Sequence, residues 1–150
     1  MVGLFEEIAE GAASESSVWA AALLPGHERQ LVAVFSPLAP GELAVGLETV
    51  YEAYLTHYGT PRLFDAGDSD EAILLGDYLY AHGLVRVAEA GGVQAVAVLA
   101  DLISRCAALR ADGEQGDGEA WVEAARALGG RPGEEEVAAA LARHYVRVAA

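Results

Sequence analysis

Lysine is absent from this chain of 150 residues, and cysteine and methionine occur once each. The nine basic residues are all arginine and face 23 acidic ones, giving a formal net charge of -14. Charge of that sign repels phosphate backbones and anionic headgroups, which argues against nucleic acid and an anionic membrane surface as partners. The missing lysine itself reads as compositional bias. A lone cysteine, Cys106, excludes an intramolecular disulfide and a multi-cysteine zinc site, and fits a reducing cytosol. It lies in an apolar helical pattern and is expected to be an inert core residue. Aromatics make up only 7% of a chain that is 53% hydrophobic, mostly alanine, valine and leucine, so helices packed through small side chains are expected rather than a sheet.

Several signatures are also missing. The first sixteen residues carry acids where a signal peptide carries bases, and no apolar run approaches the roughly 20 residues that span a bilayer, so the expectation is a soluble, cytoplasmic protein with no transmembrane segment. His27, His57, His82 and His144 have no paired spacing of the HExxH kind, the serines lack a GxSxG context, and no glycine loop fits a nucleotide. The acidic run DAGDSDE at 65–71 lacks EF-hand spacing and reads as a helix N-terminus capped by Asp68 or Ser69.

What is present is helical periodicity punctuated by glycine and proline, in one domain spanning 1–150. The pattern predicts one helix or two over Leu4–Leu24, another over His27–Phe35, and a third over Glu42–Tyr58 with Leu43, Leu47, Val50, Tyr54 and Leu55 on one stripe. Helices at 70–90 and Val93–Leu109 follow, joined at Gly91-Gly92 so tightly that they should lie antiparallel. Further helices over Glu119–Leu128 and Glu134–Val148 complete an all-α bundle of about six or seven helices. The helices at 71–90 and 93–109 are apolar on more faces than one small bundle covers, so an isolated monomer is not expected.

Residues 73–89, ILLGDYLYAHGLVRVAE, place a Gly-Asp-Tyr-Leu step inside an apolar helical run. That segment resembles the helix of trans-polyprenyl diphosphate synthases reading roughly LAGDYLLARAF, and more closely the equivalent helix of the non-catalytic small subunit of two-component heptaprenyl diphosphate synthases. Upstream, Ala53 to Tyr58 (AYLTHY) resembles the small-subunit stretch GLDTHD, and the likeness covers about residues 42–114. It implies an isoprenoid-synthase-like bundle, truncated before the family's second aspartate-rich motif.

In catalytic members of that family a DDxxD motif binds magnesium, which holds the allylic diphosphate. If His57 aligns with the histidine before that motif, the motif falls on Tyr58-Gly59-Thr60-Pro61-Arg62, without a carboxylate. Aligned without gaps from Gly76, it falls near Glu48 and Glu52, one turn apart on what reads as a solvated helix face. These two are the only weak metal candidates, and no catalytic residue is assigned. The resemblance implies a heterodimer interface on helices 71–90 and 92–110, here at Leu75, Gly76, Asp77, Tyr78, Leu79, Tyr80, Leu99 and Ile103. It further implies that Mg2+ belongs to a catalytic partner, and that this chain supports that partner and shapes product length, as for a menaquinone side chain. The alternative is a stand-alone helical homodimer or apolar-ligand binder that kept the fold. Asp77, the one charge in the apolar run 72–81, needs a partner in either case.

Overall fold

In the computed structural model, which describes residues 3–148, the regular elements are six α-helices: α1 Leu4–Glu15, α2 Ser17–Ala22, α3 Ala44–Tyr58, α4 Ser69–Ala111, α5 Asp117–Ala127 and α6 Glu134–Val148. The fold is all-α. Helix α3 is its axis, because every residue from Gly46 to Thr56 is buried. A helix apolar on all sides must be surrounded, and α1, both halves of α4, and α6 pack around this one.

The first helical stretch is two helices. Ser16 breaks it with extended backbone, and its Oγ accepts a hydrogen bond from the Val18 N–H at 3.1 Å, capping α2. The helix expected over His27–Phe35 does not form. Beyond a single 3-10 turn at Gly26–Glu28 this segment is irregular, and its backbone groups are claimed from outside: Gln30 N–H donates to the Arg62 carbonyl at 3.0 Å and Glu48 accepts from Val34 and Ser36 N–H. Tertiary hydrogen bonds here override a helical-looking apolar pattern. Pro40 and a 3-10 turn at Gly41–Leu43 then lead into α3.

Helix α4 begins where the sequence indicates. Asp68 Oδ1 accepts from Glu71 N–H at 2.8 Å, while Glu71 Oε2 accepts from Gly67 N–H at 3.0 Å, a reciprocal cap. The 43-residue run is interrupted at Gly92, with φ 75° and ψ -169°, a conformation nearly confined to glycine. The two arms fold back on each other as the Gly91-Gly92 pair predicts. Gly91 lies against Leu43 at the start of α3, whereas Gly76 of the first arm and Arg110 of the second both meet the end of α3, at His57 and Tyr54. Gly46 of α3 and Gly83 of α4 cross so closely that a Cβ on either would collide with Val87 or Val50.

Two apolar clusters flank α3. The larger joins Val50, Tyr51, Tyr54 and Leu55 to Leu99, Leu102, Trp121 and Ala140; the smaller sets Ile8 and Ala12 of α1 against Leu63, Phe64, Leu75 and Leu79. Each fully buried large side chain contributes about 1.5–3 kcal/mol. Cys106 is in the larger cluster, where burial pushes its thiol up to about 12, and it stays an unreactive core residue.

Candidate functional site

Glu48 and Glu52 are not on a solvated face. Both are completely buried, and between them stands Arg62, itself 0% exposed. Arg62 Nη1 donates to Glu48 Oε1 at 2.5 Å and to the Val32 carbonyl at 2.9 Å, and Nε donates to Glu52 Oε1 at 3.0 Å. The remaining carboxylate oxygens are occupied by backbone: Glu48 Oε2 takes Val34 and Ser36 N–H, and Glu52 Oε2 takes Arg62 and Leu63 N–H. Burial alone would lower the Arg62 pKa, but the two carboxylates reverse that and raise it. Its guanidinium also lies over the rings of Phe5 and Tyr51, at 4.9 and 5.0 Å. The pair therefore fastens the 30–36 and 62–63 segments to α3. It is corrected from metal candidate to structural anchor, because every acceptor oxygen already has a donor.

A second polar network joins α3, α4, α5 and α6. Asp117, in the first turn of α5, accepts on Oδ2 from Tyr54 at 2.5 Å and from Arg110 at 2.9 Å, with His144 Nε2 at 3.1 Å. An ionised carboxylate only accepts, so His144 donates to it from Nε2, and its Nδ1 pairs with the Tyr51 hydroxyl at 2.7 Å. Burial would raise the Asp117 carboxyl, but the hydrogen bonds from His144 and Tyr54 and the Arg110 contact hold it well below the usual carboxylate range. Burial drives the Tyr51 and Tyr54 hydroxyls far upward, so both stay protonated donors. Arg110 and Asp117 reach a cleft of about 330 Å³, also lined by Glu114, Gln115, Tyr145 and Val148. Behind it the space is filled by Phe35, stacked on Trp121 at 5.4 Å, and by Tyr51 and His144. Tyr51, Tyr54 and His144 of this network are buried in the core, and Asp117 is its end at the cleft.

No family model, no curated protein and no solved structure matches this chain. Among the described residues no cluster of three or more histidine, cysteine, aspartate or glutamate side chains is arranged to hold a metal ion.

The residues expected at an interface divide in two. Leu75, Gly76, Leu79 and Leu99 are buried in the chain's own interior and have no surface left to offer, which corrects their assignment. Gly76 packs flat on the His57 imidazole, where a Cβ would overlap the ring. Tyr78, Tyr80 and Ile103 are half-buried, and Tyr78 donates to the Gly11 carbonyl of α1 at 3.3 Å. Asp77 is exposed, 3.7 Å from His57 Nε2. The outward side of α4 instead presents residues the sequence reading did not single out: Ile73, Leu74 and Val85 are 53%, 59% and 53% exposed, and Val93 at the bend is 85% exposed. By length and composition alone α4 is apolar enough to cross a membrane, and only 22% of its most apolar 18-residue window is buried.

Arg62, Asp117, Arg110 and His144 were also not singled out. Glu48 and Glu52 are the only carboxylates of α3, and nothing local in the sequence points to Arg62, in a loop beyond the helix, as their partner. Asp117 and His144 lie 27 residues apart, and only the packing of α6 on α5 brings them together.

Proposed function

We propose that this chain is a non-catalytic subunit of a heteromeric trans-polyprenyl diphosphate synthase. In this reading it docks through the outward side of α4 on a catalytic partner that carries the magnesium-binding aspartates. One observation carries the reading: the segment that resembles prenyl synthases carries large apolar residues that lie uncovered. Ile73, Leu74 and Val85 on the first arm of α4 are each at least half exposed, as is Val93 just past the bend, an arrangement that favours burial against another protein. Support for the non-catalytic role comes from Glu48 and Glu52, whose four carboxylate oxygens are taken by Arg62 and backbone N–H groups. The aromatic filling around Trp121 likewise leaves the growing prenyl chain to the partner, with this chain acting from outside on product length.

The test is co-expression with a full-length polyprenyl diphosphate synthase, followed by co-purification and product analysis. The expected result is a stable complex, no turnover by this chain alone with magnesium, allylic diphosphate and isopentenyl diphosphate, and a product length that depends on the complex. Turnover by the isolated chain, or failure to co-purify with any synthase from the same genome, would overturn the proposal.

A further inference from the structure

We infer that the outward face of α4 selects its partner by charge: it accepts an apolar patch rimmed by arginine or lysine and rejects a second copy of this chain. The inference rests on the docking reading above and names the kind of partner that fits it. Along the first arm the outward stripe runs through Asp70, Leu74, Asp77, Ala81 and Val85, at helical spacings of three and four. All of these are exposed, as is Glu89 near the bend. The acids on this face have almost no compensation. Among the described residues Asp70 and Glu89 have no basic group within salt-bridge distance, and Asp77 has only the His57 imidazole at 3.7 Å.

The arginines of α4 are committed elsewhere. Arg86 turns to Glu7 of α1 at 3.3 Å, Arg105 to Glu123 of α5 at 3.0 Å, and Arg110 to Asp117 at 2.9 Å. The surface left for a partner is therefore apolar with charge of one sign. A twofold dimer of this chain would set that surface against itself, bringing unpaired carboxylates together between two molecules of net charge -14. Inside a contact, at separations under the roughly 8 Å Debye length of physiological salt, that repulsion is poorly screened. A basic-rimmed apolar partner meets the same face with attraction at every acid and covers the same valine and leucine side chains. A bilayer surface lacks that complement, since anionic headgroups are repelled.

The experiment uses the full chain and labelled amphipathic helical peptides with a leucine stripe, one flanked by arginines and one by glutamates. Fluorescence anisotropy is read from about 50 to about 500 mM sodium chloride, with sedimentation of the chain alone over the same range. The arginine-rimmed peptide should bind and weaken about tenfold or more with salt, the glutamate-rimmed one should not bind, and self-association of the chain should emerge only as salt rises. The triple variant Asp70→Arg, Asp77→Arg, Glu89→Arg should reverse the peptide preference with an unchanged circular-dichroism spectrum. The same charge change at exposed acids off this helix, Glu10→Arg, Glu28→Arg, Glu135→Arg, should leave the preference alone, which separates the face from general attraction to an acidic protein. A homodimer stable at low salt and dissociated by Val85→Asp would overturn the inference. So would equal binding of both peptides, or Val85-dependent capture by phosphatidylcholine vesicles. Either result alongside intact co-purification with a synthase would sink charge selection and leave the subunit reading in place.

Discussion

Removing the Arg62 guanidinium would strand two carboxylates that are wholly buried, and the expected cost of Arg62→Met is about 3–5 kcal/mol in urea unfolding. Replacing Glu48 and Glu52 by apolar residues as well should not restore stability, because it also orphans the Val34, Ser36, Arg62 and Leu63 N–H groups. A triple variant as stable as the parent would contradict the anchoring role. Asp117 gives a pH signature. Its folded carboxyl is held below the ordinary value, so its contribution is present above the unfolded pKa of about 3.9 and is lost as pH falls below that. Asp117→Asn should cost roughly 2–3 kcal/mol at pH 7, and the gap to the parent should shrink between about pH 4 and pH 2. Parallel stability curves would show that Asp117 is not the charged centre of the network.

At the scale of elements, the fold-back of α4 depends on one backbone position. Gly92 has φ 75°, and nothing lies within 4 Å of a Cβ placed there, so Gly92→Ala is a test of conformation without a steric clash. It should destabilise the chain by about 1–3 kcal/mol in thermal unfolding with little change in helical content. Gly76→Leu is the opposite kind of change, since the new side chain must displace the His57 ring inside the molecule. Its effect should appear as lost folding stability, with no separable change in assembly. Elements bounded by local chemistry were legible: the Asp68 cap, the Gly91-Gly92 bend, and α3 and α6 within a few residues. The 27–35 segment was not, because its irregular form comes from hydrogen bonds to Arg62 and Glu48 that no local pattern encodes.

For the whole molecule, the outward face of α4 should be separable from folding. Val85→Asp changes a residue with more than half of its surface exposed, so stability should move by no more than about 0.5 kcal/mol while co-purification with a synthase fails. A variant that melts early instead would place Val85 in the core and remove the basis for a docking surface. The interior beneath that face is closed by aromatic packing and two internal polar networks.

The sequence by itself determined the all-α class, the break at Gly91-Gly92, a helix cap at Asp68 or Ser69 and the place of Cys106 in the core. Each follows from nearest-neighbour chemistry: helix periodicity, glycine at positive φ, a side-chain cap, an apolar stripe. The excess of negative charge is likewise set by composition alone. Only the tertiary structure decided that Glu48 and Glu52 hold an arginine instead of solvent, since Arg62 reaches them from a loop beyond the end of α3. It likewise decided which side of α4 is left uncovered. An apolar helix on both sides gives no local sign of which stripe α3 will bury, and the close crossing of Gly46 with Gly83 makes that choice.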